Sequence, residues 1–177
     1  MAVAPDTLLT QGYEARKEHR PDDAKRFFAE AIDLSRQEDD QDTLARALAG
    51  LGQIERDLGN RNRALEFCEE SVAVCRTLND PQLLAHTVRH LADILRGLGD
   101  SSLAETHYKE ALQIYREHSE TKPLDLANTL RGYALLKTER RATRDAQTLW
   151  QEAKDLYASL DVEAGVKESE RQLSLLA

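Results

Sequence analysis

Apolar residues along this chain recur at intervals of three and four and seldom alternate at two. From about Thr43 to Leu58, the residues Leu44, Leu48, Leu51 and Ile54 fall mostly on one side of a helix. From about Arg61 to Leu78, Leu65, Cys68, Val72 and Cys75 follow at spacings of 3, 4 and 3. Gly59-Asn60 between them reads as a helix stop, since glycine enters the left-handed conformation at no steric cost. "LGD" repeats that stop at Gly99-Asp100, and "NDPQ" opens a helix with Asn79 or Asp80 as N-cap and Pro81 in the first turn. Strand-forming alternation is scarce, so the chain is expected to be all-α.

The pattern is also periodic on a longer scale. Gly12, Gly52, Ala92 and Ala134 are each followed twelve residues later by alanine, at Ala24, Ala64, Ala104 and Ala146. Four residues on stand Phe28, Cys68, Tyr108 and Trp150, and three further on the small residues Ala31, Ser71, Ala111 and Ala153. The unit recurs after 40, 40 and 42 residues. Each copy reads as a helix hairpin too small to bury its own apolar stripe, so successive hairpins must stack. Expected repeats span about 5–42, 43–80, 81–120 and 123–160 of a single domain, 1–177. A solitary helix near 162–177, with Val166, Leu173 and Leu176, covers the last one.

The glycines of "LAGLGQIERDLGN" raise a rival reading, a phosphate-cradling loop. Glu55 stands where GxGxxG needs its third glycine, and no strand precedes it, so that reading fails. Gly52 is a close-packing position. Gly50 has no role in the repeat and is read as lying near the inner face, leaving room for a bound chain.

A small residue, alanine twelve on, an aromatic four later and a small residue three beyond resemble the tetratricopeptide repeats. "LAGLGQIERDLGNRNRALEFCEES" and "LADILRGLGDSSLAETHYKEAL" carry the pattern best. "QGYEARKEHRPDDAKRFFAEAI" is also good, whereas "GYALLKTERRATRDAQTLWQEA" departs by placing Arg141 at the turn glycine. The resemblance covers about residues 5–160, and its long period is similar to kinesin-light-chain-type and bacterial members. It implies a right-handed superhelical solenoid of four hairpins plus a capping helix, with first helices lining a concave, peptide-binding face. The carboxylate clamp of some members needs Lys and Asn where this chain has Leu9 and Tyr13, which disfavours that specialisation.

On the face away from the packed stripe lie Asp6, Leu9, Tyr13 and Arg16, then Arg46, Ala49, Gln53 and Arg56. His86, Arg89, Asp93 and Arg96 follow, then Asn128, Arg131, Leu135 and Thr138. Six arginines stand here in a chain whose net charge is −8. Arginine's planar fork grips carboxylates, so an acidic segment is the expected partner. The alternative is that these arginines pair with acids of adjacent helices, such as Asp57 and Asp93. Tyr13, Arg16, Arg46, Gln53, Arg56, His86, Arg89, His90, Arg96, Asn128 and Arg131 are the candidate peptide-binding residues.

Charge and motifs narrow the classes further. The acidic balance argues against nucleic acid and anionic membranes, and no run of about 18 apolar residues suggests a membrane span. The N-terminus lacks a signal-peptide pattern, so a cytoplasmic protein is expected. Cys68 and Cys75 would lie about 10 Å apart along one helix, too far for a disulfide, and read as buried thiols. His86, His90 and Asp93 share a face as metal ligands do, but Arg89 intrudes and no HExxH is present. They read as groove residues without metal. No GxSxG, Walker or CxxC motif occurs, so no cofactor and no enzyme activity are expected. "KTERRATRD" at Lys137–Asp145 is a basic turn, either solvated or touching an acidic partner. Self-association through the solenoid ends or "ERQLSLLA", giving a homodimer, is the rival to peptide binding.

Overall fold

In a computed structural model, which describes residues 4–118 and 120–177, nine α-helices and no strands occur among the described residues. They are α1 (Pro5–Lys17), α2 (Pro21–Glu38), α3 (Gln41–Asp57), α4 (Arg61–Cys75), α5 (Pro81–Leu98), α6 (Ser101–Glu117), α7 (Pro123–Glu139), α8 (Thr143–Ser159) and α9 (Glu163–Leu175). All four prolines stand at the first position of a helix (α1, α2, α5 and α7), where a missing N–H costs nothing. Asp40, Asp80 and Asp100 cap α3, α5 and α6 by accepting from Thr43, Leu83 and Leu103 N–H at 3.0, 2.9 and 3.1 Å. Asp80, rather than Asn79, is thus the cap of "NDPQ".

The four turns inside the hairpins share one geometry. Arg20, Asn60, Asp100 and Ala142 N–H each donate to the carbonyl five residues back, at 2.8, 2.8, 3.0 and 2.9 Å. The residue before each is left-handed: His19 (φ 57°), Gly59 (84°), Gly99 (87°) and Arg141 (57°). The first and fourth hairpins therefore keep the turn without a glycine, and each bears about 1 kcal/mol of backbone strain for it.

Helices pack in chain order, α1 on α2 through α8 on α9. The close next-nearest backbone approaches join odd helices, α1 to α3, α3 to α5 and α5 to α7. First helices therefore crowd the inner side of a curved stack and second helices spread along the outer side. The repeat rows predicted from spacing are the core: Ala24, Ala64, Ala104 and Ala146, then Phe28, Cys68, Tyr108 and Trp150, are all fully buried.

Phe28 shows how one hairpin closes on the next. A Cβ placed on Gly12 of its own hairpin, or on Gly50 of the following one, would fall 2.6 Å from its ring. Gly50 therefore leaves room for Phe28 and not for a bound chain, which corrects the expectation above. Tyr108 repeats the arrangement against Gly132. Where hairpin 2 has the smaller Cys68, the position equivalent to Gly50 and Gly132 is filled by the buried His90. Large and small thus alternate across the junctions.

A second recurring pair sits beside this one. Lys25 meets Glu55 at 2.7 Å between hairpins 1 and 2, and Lys137 meets Glu105 at 2.9 Å between hairpins 3 and 4. Counting by the repeat, these are the same two positions with the charges exchanged. In the middle junction they are Leu65 and Leu95, both in the apolar cluster. On the outer side Arg36–Glu70, Arg76–Glu110 and Arg116–Glu152 form a ladder at 2.6, 2.7 and 2.8 Å. Its rungs are partly exposed and individually worth under about 1 kcal/mol.

Two outcomes test these junctions by thermal and urea unfolding. Lys25→Leu strands the fully buried Glu55 and should cost about 3 kcal/mol, whereas Lys25→Leu with Glu55→Leu, copying the middle junction, should restore wild-type stability or better. Gly50→Val should cost about 2 kcal/mol or more through collision with Phe28, and wild-type stability in that variant would show the ring is not confined.

Candidate functional site

The odd helices bring the predicted inner-face residues into one surface, but not as free side chains. Each of the six arginines has a partner. Arg16 of α1 donates to Gln53 and, at 3.1 Å, to Asp57 of α3. Arg46 of α3 grips Asp42 at 2.8 Å and reaches the Asp80 carboxylate at 3.1 Å. Arg56 pairs with Asp57 at 2.8 Å and approaches Asp93 of α5 at 3.9 Å. Arg89 meets Asp93 at 3.2 Å, Arg96 pairs with Glu139 of α7, and Arg131 forks onto Glu168 of α9 at 2.6 and 2.8 Å. Most of these pairs join one hairpin to the next, so the arginines staple the inner face. Burial opposes ionisation of Asp57, yet hydrogen bonds from Arg56 and Arg16 hold its carboxyl below the usual range.

Gln53 and His90 lie beneath this layer, both buried. Leu9 and Ala49 are buried too, and of the two only Ala49 borders the groove cavity, as part of its floor. Asn128 is occupied, its Oδ1 accepting from the Tyr157 hydroxyl at 2.8 Å. Asp93 accepts from Tyr108 at 2.5 Å and from Arg89.

His90 lies between two guanidinium groups. Arg89 Nη2 is 2.8 Å from its Nε2, and Arg56 Nη1 is 3.3 Å from its Nδ1. A neutral imidazole has one acceptor nitrogen, and the shorter distance assigns that role to Nε2. Burial first, then Arg89, His86 and Arg56, pushes its pKa well down. His86, whose ring stands edge-on to it with centroids 4.6 Å apart, is lowered to about 4 by burial and then by Arg89 and Arg46. Both cysteines are buried and free, and burial pushes the Cys68 thiol up to about 12.

The open part of the inner face is a cavity of about 480 Å³ at the N-terminal ends of α3, α5 and α7. Tyr13, Arg46 and His86, three of the predicted residues, line it with Leu83, Leu124 and Ala49. Asp80, Gln82, Glu120, Lys122 and Asp125 complete it. Tyr13 is held by its hydroxyl, which donates to the Arg46 carbonyl at 3.2 Å, and by an edge contact with Phe28. Tyr13 and Leu124 are 40% and 43% exposed, which makes them the accessible apolar contacts of the groove. Sequence reasoning missed Asp42, Gln82 and Leu124. They share one repeat position, a helical turn before Arg46, His86 and Asn128, and extending the stripe by that turn would have found them.

Buried His90, with half-buried His86 beside it, makes stability depend on pH. Their folded pKa values are depressed, so the unfolded chain binds the extra protons and stability falls as pH drops below about 6.5. The slope for His90 is at most about 1.4 kcal/mol per pH unit. Urea midpoints measured from pH 7 to pH 5 should decline, and His90→Gln should flatten the decline; an unchanged slope in that variant would place the proton uptake elsewhere.

Comparison with known proteins fits this geometry. No curated protein matches the chain. Among solved structures, apo RapI superposes with a TM-score of 0.87 at 16% identity, covering 97% of this chain and 62% of that one. BtubC (BKLC) from P. vanneervenii gives 0.77 at 20% identity, covering 90% and 67%. A signal transduction ATPase with numerous domains and a tetratricopeptide repeat sensor, from Pyrococcus horikoshii, gives 0.83 at 13%, covering 97% and 26%. This chain thus spans 67% or less of the length of each of these neighbours. At such identities the likeness is one of fold. The tetratricopeptide repeat profile matches residues 7–77 and 43–117, and the chain belongs to the tetratricopeptide repeat family.

Proposed function

We propose that this chain is a non-enzymatic binding module that holds an extended, acidic segment of a partner protein along the inner face of α1, α3, α5 and α7. The observation that carries the reading is the 480 Å³ cavity, where exposed Tyr13 and Leu124 stand beside Arg46. An apolar side chain of the partner fills the cavity and supplies affinity. Its Asp or Glu residues compete for the arginine forks.

The internal ion pairs change how that competition works. An incoming carboxylate displaces Asp42 or Asp80 from Arg46, exchanging one pair for another with little net gain. Charge then selects the partner, while apolar burial holds it. No helix among the described residues is long and apolar enough to cross a membrane, which is compatible with a partner met in solution. Exposed Leu175, with Leu173 and Leu176 partly buried beside it, supports a second reading, self-association through α9.

Selection of random twelve-residue peptides on the purified chain, followed by fluorescence titration, tests both parts. Enriched peptides should pair one large apolar residue with Asp or Glu. Leu124→Asp should weaken them at least ten-fold, about 1.4 kcal/mol. Asp42→Asn, by removing the internal competitor, should tighten them several-fold. Indifference to Leu124 and Tyr13 would sink the groove, and enrichment without acids would sink the acidic partner. Light scattering addresses self-association: a single monomer mass at all concentrations removes it, and a dimer lost on deleting residues 171–177 establishes it.

A further inference from the structure

The edge formed by the turns within hairpins carries a second, separate surface. The turns adjoin one another. Arg16 beside the first turn bonds Asp57 beside the second, and a Cβ on Gly97 beside the third would lie 3.2 Å from Arg61 Nε. Arg96 beside the third bonds Glu139 beside the fourth. Leu58, Leu98 and Leu103 on this edge are 47%, 39% and 50% exposed, three of the six large exposed hydrophobic side chains among the described residues. A cleft of about 250 Å³, lined by Arg16, His19, Pro21, Ile54, Asp57 and Leu58, opens at the first junction.

The edge also carries cations that no internal carboxylate neutralises. Most Lys and Arg side chains are paired; on this edge Arg61, Arg141 and Arg144 have no carboxylate within ion-pair distance among the described residues, and the same holds for Lys17, Arg63, Lys122 and Arg171. Arg141 is left-handed where hairpins 2 and 3 have Gly59 and Gly99, as His19 is in hairpin 1. The basic turn singled out in the sequence is therefore one end of a longer surface.

We infer that this edge docks an acidic amphipathic helix of a partner protein, whose apolar face lies on Leu58, Leu98 and Leu103 and whose carboxylates meet Arg61, Arg141 and Arg144. Leu58, just past the end of α3, and Leu98, the last residue of α5, occupy the same repeat position, and the two helices touch. Packed helices lie about 8–10 Å apart. A helix presents the same face again after seven residues, about 10.5 Å, so apolar residues at i and i+7 fit the two leucines. A flat anionic bilayer fits less well, because Glu18, Asp22 and Asp23 stand at the first turn of the same edge and the chain's net charge is −8. This surface is distinct from the groove, and neither reading depends on the other.

A phage-displayed library of helical peptides, selected on the full chain, tests the assignment. Enriched clones should carry apolar residues at i and i+7 flanked by Asp or Glu. In titration they should bind Leu98→Glu with Arg141→Glu at least ten-fold more weakly, and bind the groove variant Leu124→Asp as the wild type. Circular dichroism and a melt confirm that the variants fold. Clones insensitive to the edge variant, basic clones, or clones lost only with Leu124→Asp overturn the inference. So does phosphatidylserine vesicle binding that the edge variant abolishes, which would make the edge a membrane contact.

Discussion

Everything in this molecule depends on the closeness with which one hairpin settles on the next. The Phe28 ring sits between two positions that lack a side chain, Gly12 behind it and Gly50 ahead of it. Each glycine weakens its own helix by about 1 kcal/mol relative to alanine. That penalty is offset by burying an aromatic ring that no single hairpin could cover. Tyr108 against Gly132 repeats the solution, and Tyr157 against Gly165 seats the terminal helix in the same manner. Because each junction is filled by one large and one small partner, the hairpins resist sliding, and the curvature that forms an inner face follows.

Polar groups then distinguish junctions that shape alone would leave alike. Lys25–Glu55 and Glu105–Lys137 carry opposite polarity at equivalent positions, with Leu65 and Leu95 between them. Buried pairs of this kind contribute little net stability but penalise wrong partners, because a mismatched junction buries a lone charge. Glu105 shows the strength of its surroundings. The Lys109 hydrogen bond first, with Lys137 and Tyr133 acting against burial, holds its carboxyl down to about 2. The inner arginines play the same part nearer the surface, since Arg16, Arg46, Arg56, Arg96 and Arg131 each reach a neighbouring hairpin.

This use of arginine reshapes the functional reading. Six guanidinium groups on a concave face suggest a strong field for anions, yet internal carboxylates neutralise most of it. The accessible contacts are instead Tyr13 and Leu124 around a cavity, and separately the leucines and unpaired cations of the turn edge. The two surfaces use different physics. In the proposed groove Arg46 is already paired with Asp42 and Asp80 although Lys122 is not, while the proposed edge offers Arg61, Arg141 and Arg144 with no carboxylate within ion-pair distance.

Periodicity made the architecture legible. Forty-residue spacing of small and aromatic positions identified the rows that are fully buried, from Ala24 to Ala146 and from Phe28 to Trp150, and glycine chemistry located the turns at Gly59 and Gly99. It also marked the inner face, because helical spacing assigns sides within one helix. What the sequence by itself determined is therefore everything set by local geometry and repetition: helix, hairpin, stacking order and inner stripe. Tertiary structure alone decided which side chains face each other across a junction. It placed Gly50 under Phe28, sank Gln53 and His90 below the arginines, and gave Arg131 to Glu168. These contacts join residues 22 to 37 positions apart, where distance and direction come from the packing of whole helices and no local pattern encodes them.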